Sequence, residues 1–120
     1  MKKVLLINGS PNEKGCTALA LEEIASTLKK RGIESDIKQI GKKPVAGCIA
    51  CYSYARTGRC AFNDSVNEII ESLDSYGALV VGSPVYYGSA TGQICCLLDR
   101  LFFAGGRLMD GKVGACVVSC

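Results

Sequence analysis

Val4-Leu5-Leu6-Ile7-Asn8-Gly9-Ser10-Pro11-Asn12-Glu13-Lys14-Gly15-Cys16-Thr17 is the stretch that decides how the chain is read. Four consecutive apolar residues form a strand buried on both faces. A loop of small and polar residues follows, and a helical pattern begins at once. In an α/β sheet that order makes an anion site. The first-turn N–H groups of a helix have no intrahelical acceptor, and the aligned peptide dipoles add about half a positive charge there. A phosphate then binds without a dedicated arginine. The dinucleotide fingerprint G-x-G-x-x-G is absent, because Gly9 and Gly15 are the only glycines of the loop. A Walker A loop is disfavoured as well, since Lys14 precedes the second glycine and Cys16 follows it. What remains is a hydroxyl-lined loop, with Ser10 and Thr17 as side-chain donors, suited to a phosphate monoester. An ordinary strand-to-helix turn in which Thr17 merely caps the helix fits the same spacing.

Outward from this stretch, the first helix is expected over Thr17 to Arg31. Ala18, Leu21, Ala25 and Leu28 form its apolar stripe, Glu22 and Glu23 lie early, and Gly32 is placed to cap its end. Ile33 to Ile40 has the polar-rich character of an edge strand. Residues 45 to 63 read as irregular. Asp64 is a helix N-cap, with Val66, Ile69, Ile70 and Leu73 as the buried face up to Tyr76. Ala78-Leu79-Val80-Val81 is a second apolar strand, and it ends in Gly82-Ser83-Pro84-Val85-Tyr86-Tyr87-Gly88-Ser89. Ile94 to Phe103 is a helix apolar nearly all round, hence buried or at a subunit contact. Lys112 to Ser119 is expected as a third buried strand. Alternating strands and helices of this kind make a doubly wound parallel α/β sheet. In the flavodoxin-like order the first and third strands are neighbours, and a ligand binds where their loops leave the sheet. Both of those strands run into Gly-Ser-Pro.

A chain of 120 residues, 48% of them hydrophobic, is one domain with enough apolar side chains for a core. A net charge of +3 is too mild to suggest nucleic acid as a partner. No apolar run approaches the ~18 residues of a membrane span. The start at Met1-Lys2-Lys3 is too short for a signal peptide, so a reducing cytoplasm is the expected compartment. Eight cysteines would otherwise suggest a disulfide scaffold. Cys16, Cys95, Cys96, Cys116 and Cys120 fall in regular α/β patterns, where free cysteine is expected as a small core hydrophobe.

Four stretches in order resemble the NAD(P)H-dependent FMN reductases of the flavodoxin-like superfamily, on the branch near the iron–sulfur flavoproteins. They are Asn8–Thr17, Gly47–Asp64, Gly82–Thr91 and Leu98-Asp99-Arg100-Leu101. The resemblance implies an FMN whose phosphate lies at Ser10, Asn12, Gly15, Cys16 and Thr17. It implies that Pro84, Val85, Tyr86, Tyr87, Gly88 and Ser89 wrap the flavin ring. It also implies strand order 2-1-3-4 with the fifth strand missing from this chain, which makes residues 1–120 a single domain incomplete at its C-terminus. Family members commonly carry Asn where this chain has Cys16.

Cys48-x-x-Cys51 has metal-ligand spacing, and Cys60 is near enough to join. Iron–sulfur relatives add a cysteine where this chain has Tyr54. A tetranuclear cluster (4Fe-4S) takes four thiolates, as does a zinc site without histidine, and histidine is absent. Metal at Cys48, Cys51 and Cys60 is therefore not favoured over a structural remnant or a redox-active pair. Cys51 to Arg56 is one residue short of a C-x5-R phosphatase loop. Asp99-Arg100 on a buried helix reads as a structural charge pair.

The resulting expectation is an enzyme whose flavin takes hydride from NAD(P)H and passes electrons to a small acceptor such as a quinone, nitroaromatic, ferric chelate or free flavin. No protein acid or base is required. A flavodoxin-type or iron–sulfur flavoprotein carrier without its own NAD(P)H activity is the alternative. A fragment unable to hold FMN is the third reading. A homodimer or larger homo-oligomer is expected, because a missing strand leaves an unpaired sheet edge.

Overall fold

A computed structural model describes residues 2–120 of the chain; Met1, the first residue of the short basic start, lies outside the described residues. Strands Lys3–Asn8 (β1), Ser35–Gln39 (β2), Tyr76–Pro84 (β3) and Val113–Ser119 (β4) pair in parallel in the order β2-β1-β3-β4. Helices Cys16–Lys30 (α1), Tyr54–Thr57 (α2), Ser65–Ser72 (α3) and Gly92–Gly105 (α4) connect them. This is the doubly wound order expected from the sequence.

Side chains alternate across a strand, so β1 feeds two cores. Val4 and Leu6 join Leu21, Leu28, Ile37 and Val80 on the α1 face. Leu5 and Ile7 join Ile69, Ile70, Leu73, Leu79, Ile94, Leu97 and Leu101 on the face covered by α3 and α4. A strand packed on both faces favours apolar side chains throughout its middle, which is why Val4–Ile7 reads as an unbroken apolar run.

Local signals place most helix ends. Asp64 caps α3, its carboxylate accepting from the Val66 amide at 3.1 Å. Gly32, at φ 74°, closes α1 by donating to Lys29 O at 3.0 Å, while the Ile33 amide reaches Leu28 O at 2.9 Å. That bond pair is a Schellman cap, and Ile33 and Leu28 pack in the same core. At its other end α1 starts one residue earlier than expected, with Gly15 as N-cap and no side-chain cap. Thr17 is thus not the capping residue. Glu22 and Glu23 fall beyond the first turn, which has no acidic side chain.

Five expectations are corrected. Residues 45 to 63 are not wholly irregular, because Tyr54–Thr57 forms one helical turn closed by Gly58 at φ 72°. Tyr76 belongs to β3, since α3 stops at Ser72 and a short 3-10 turn, Leu73–Ser75, feeds the strand. β3 also runs on through Pro84, paired to Ser119. β4 is not buried: it is the edge strand, paired only to β3, with Val113 68% and Val118 64% exposed. Finally, Cys16, Cys95, Cys116 and Cys120 are exposed and Cys96 is half-buried, so none of the five is a core residue. Cys95 lies on the open side of α4, where Phe102 and Phe103 are also about half exposed.

Candidate functional site

Because β1 and β3 are adjacent, their C-terminal loops leave the same edge of the sheet. Two glycines set how close those loops come. The Gly9 amide donates to Gly82 O at 2.7 Å. A Cβ on Gly9 would stand 2.8 Å from that oxygen and 2.9 Å from Ile94 Cβ, and a Cβ on Gly82 would meet Thr17 Cγ2 at 2.9 Å. The loops touch backbone to backbone, which only residues without a side chain permit.

Buried polar side chains then lock the contact. Thr91 Oγ1 donates to Gly9 O at 2.6 Å and accepts from the Ile94 amide at 3.2 Å, capping α4 and pinning the first loop with one hydroxyl. Ser83 Oγ accepts from the Thr91 amide at 3.1 Å. Asn8 Oδ1 accepts from the Ser10 amide at 2.9 Å, while its Nδ2 donates to Gln39 Oε1 at 2.7 Å and Asn12 O at 3.4 Å. Sequence reasoning missed Asn8, Gly82 and Thr91 as the staples of the site. The repeated Gly-Ser-Pro was the available signal, but its meaning depends on the two loops being neighbours.

Between the loops lies an open crevice of about 250 Å³. Ser10, Asn12, Gly15, Cys16 and Thr17 form one wall, Pro84, Val85 and Tyr86 the other, and Ser119 and Cys120 close one end. Ser10 Oγ accepts from the Asn12 amide at 3.1 Å, which leaves its proton to donate. Thr17 Oγ1 and Ser119 Oγ share a hydrogen bond at 2.8 Å. The N-terminus of α1 reaches this wall with neither a side-chain cap nor an acidic first turn. Unpaired amides, two hydroxyls and the positive end of a dipole make the wall a cradle for an anion.

Tyr87, Gly88 and Ser89 do not line the crevice. They complete a tight hairpin turn beyond it, with the Tyr86 amide donating to Ser89 O at 2.7 Å and the Ser89 amide to Tyr86 O at 3.1 Å. Tyr87 (φ 51°) and Gly88 (φ 78°) are both left-handed, as a type I′ turn requires. A tyrosine in that region costs about 1–3 kcal/mol, and its ring is fully exposed.

The cysteine segment is held elsewhere, by Arg100. This fully buried guanidinium donates to both Asp64 oxygens at 2.8 Å, to Ala46 O and Phe62 O at 3.1 Å, and through Nε to Cys60 Sγ at 3.3 Å. Burial pushes the Asp64 carboxyl up, but the Arg100 and Val66 hydrogen bonds outweigh it and hold the group below the ordinary carboxylate range. The structural charge pair is therefore real for Arg100, with Asp64 and not the exposed Asp99 as its partner. Asn67, also missed, binds the Cys60 amide at 2.8 Å and the Cys60 and Phe62 carbonyls at 3.0 and 3.2 Å.

Cys48 and Cys51 are exposed, and Ala50 and Tyr52 around Cys51 are left-handed. The Ser53 hydroxyl, 3.3 Å from Cys51 Sγ, holds that thiol below its ordinary range. Tyr52, Tyr54 and Phe103 pack ring against ring, with centroids 6.2–6.5 Å apart, beside a cavity of about 30 Å³ lined by Cys48, Cys51 and Cys60. Among the described residues no three thiol or carboxylate groups are placed to share a metal ion. Cys48, Cys51 and Cys60 supply three thiolates, one fewer than the four a tetranuclear cluster takes. Among the described residues, no helix is long and apolar enough to cross a membrane.

Comparison with known proteins adds three findings. A family model described as NADPH-dependent FMN reductase matches residues 2–120. The chain is 37% identical over 122 residues to an iron–sulfur flavoprotein of Archaeoglobus fulgidus, covering 98% of this chain and 58% of that protein. It is 34% identical over 98 residues to an iron–sulfur flavoprotein of Methanocaldococcus jannaschii, covering 82% of this chain and 51% of that protein. The chain thus spans between half and three-fifths of the length of these relatives. Among solved structures, an NAD(P)H:quinone oxidoreductase from Methanothermobacter marburgensis superposes with a TM-score of 0.67 at 17% identity, over 87% of this chain and 55% of that one. That likeness bears on the fold.

Proposed function

The chain belongs to the NADPH-dependent FMN reductase family, and from that membership we propose an FMN-dependent oxidoreductase that takes electrons from NAD(P)H and passes them to a small acceptor such as a quinone, nitroaromatic or free flavin. The observation that carries this reading is the single crevice shared by the Ser10–Thr17 and Pro84–Tyr86 walls. Its donor set suits the cofactor. A phosphate monoester is a small dianion, and the first wall offers amides, two hydroxyls and a helix N-terminus whose first turn carries no carboxylate. Pro84, Val85 and Tyr86 offer an apolar flank for a planar ring, while contact of Tyr87, Gly88 and Ser89 with that ring would require their turn to move toward the crevice.

FMN held here would supply the electron chemistry between nicotinamide and acceptor. The protein's share is binding and orientation. Ser10 Oγ and Thr17 Oγ1 donate to the phosphate, Thr17 giving up its bond to Ser119. Asn8 and Thr91 hold the first loop in place from beneath, and Gly9 and Gly82 let the second loop lie against it. The open face of the crevice admits nicotinamide and acceptor in turn. A homodimer or larger homo-oligomer belongs to the same reading, supported by the unpaired edge of β4 and the half-exposed Phe102 and Phe103. A cytoplasmic setting agrees with eight free cysteines.

Reconstitution with FMN, followed by flavin fluorescence, is the test. Thr17→Val removes one hydrogen bond to a charged group, worth about 1.5–3 kcal/mol. The dissociation constant is then expected to rise roughly tenfold to a hundredfold. Unchanged affinity removes Thr17 from the site. Anaerobic NADPH or NADH is expected to bleach the flavin band; if neither does, the protein is an electron carrier.

A further inference from the structure

Two cysteines that the proposed electron path does not use stand at the same crevice. Cys16 is the first residue of α1 and Cys120 follows directly on β4. Both are free, exposed and line the cleft between the loops. Their chain neighbours are already in contact, since Thr17 Oγ1 lies 2.8 Å from Ser119 Oγ. That contact brings the backbones of α1 and β4 together one residue from each thiol. Cys16 is held by a helix. Cys120 lies one residue outside the strand ladder, so its backbone adjusts without breaking a sheet hydrogen bond.

We propose that Cys16 and Cys120 form a reversible disulfide that closes the anion cradle, making them a thiol latch on cofactor loading. A low-molecular-weight disulfide is the oxidant. The thiolate of one cysteine attacks a reagent sulfur, the reagent S–S bond breaks, and one reagent thiol leaves. The second cysteine then attacks the mixed disulfide, forming Cys16–S–S–Cys120 and releasing the second reagent thiol. Two protein thiols are oxidised, one reagent disulfide is reduced to two thiols, and both protons end on those thiols. Bridged Cβ atoms lie about 3.5–4.5 Å apart, so the bridge would occupy the volume in front of the α1 amides where a phosphate must sit. Reduction reopens it. The consequence for FMN rests on the proposed function; formation of the bridge does not.

The experiment treats the reduced full chain, without FMN, with glutathione disulfide under anaerobic conditions and reads three things. Intact mass is expected to fall by two hydrogens, and peptide mapping is expected to join Cys16 to Cys120. FMN titration of the bridged form is expected to show at least tenfold weaker binding, restored by a dithiol reductant. Cys120→Ser is expected to abolish both the bridge and the response of FMN affinity to oxidant, while Cys48→Ser leaves the mapped bridge in place. Mapping that finds Cys48–Cys51 or only glutathione adducts overturns the latch. So does a Cys16–Cys120 bridge that leaves FMN affinity unchanged. A reduced protein that takes up no FMN overturns the functional reading instead, and the mapping still decides whether the bridge forms.

Discussion

Gly9→Ala probes the contact that creates the crevice. The new Cβ would sit 2.8 Å from Gly82 O and 2.9 Å from Ile94 Cβ. Ordinary van der Waals contact begins at 3.4 Å, so the loop must retreat by 3.4 − 2.8 = 0.6 Å from a backbone atom that has no flexible end to yield. Crowding of this kind costs about 1–3 kcal/mol. The same retreat stretches the Gly9 amide to Gly82 O bond from 2.7 Å to about 3.3 Å, past the usual range, which forfeits about 0.5–1.5 kcal/mol more. Replacing glycine returns about 0.4–1 kcal/mol through the unfolded chain. The net expectation is a loss of about 0.5–4 kcal/mol, read by urea unfolding followed by circular dichroism. Because the phosphate wall moves with Gly9, FMN affinity is expected to fall at least tenfold. Gly92→Ala is the matched control: nothing lies within 4 Å of its added Cβ, so FMN affinity is expected to stay native and stability to rise by about 0.4–1 kcal/mol. A Gly9→Ala protein with native unfolding midpoint and native FMN uptake would refute the idea that the two loops are in enforced contact.

Thr91→Ala removes a helix cap and leaves the Gly9 carbonyl without its donor, together costing about 2–4 kcal/mol; Thr91→Ser is expected to recover most of it in the same urea assay. Asp64→Ala strands the buried Arg100 guanidinium, and breaking such a pair costs about 3–5 kcal/mol, which thermal melts will report. Asp64 also predicts acid sensitivity. Its folded pKa lies below its ordinary value of 3.8. Its contribution is therefore complete above that value and fades as pH falls through the folded pKa. Urea midpoints measured downward from pH 5 are expected to fall less steeply in Asp64→Asn than in the native protein.

Much of this was open to reading along the chain, for reasons of period and local bonding. The Val4–Ile7 and Ala78–Val81 runs announced central parallel strands because both faces of each are covered. Asp64 and Gly32 marked helix ends because capping is a bond between near neighbours. The Gly-Ser-Pro loops followed, with their hydroxyl and aromatic residues. Other features had no local signature. That Thr17 turns to Ser119 instead of capping α1, and that Tyr87, Gly88 and Ser89 form a turn outside the crevice, follow from where β4 and the hairpin lie in space. The Lys112–Ser119 stretch carried the apolar pattern of a buried strand, yet exposure depends on what packs against it. Arg100 chose Asp64 over the adjacent Asp99 because a helix directs neighbouring side chains to different faces, whereas packing brings distant residues within reach of one guanidinium. Sequence alone thus determined which elements form and which loops carry polar donors, since those depend on residues a few positions apart. Only the tertiary structure decided which loops share a crevice, which cysteines line it and which strand is left bare, because each depends on residues far apart in the chain.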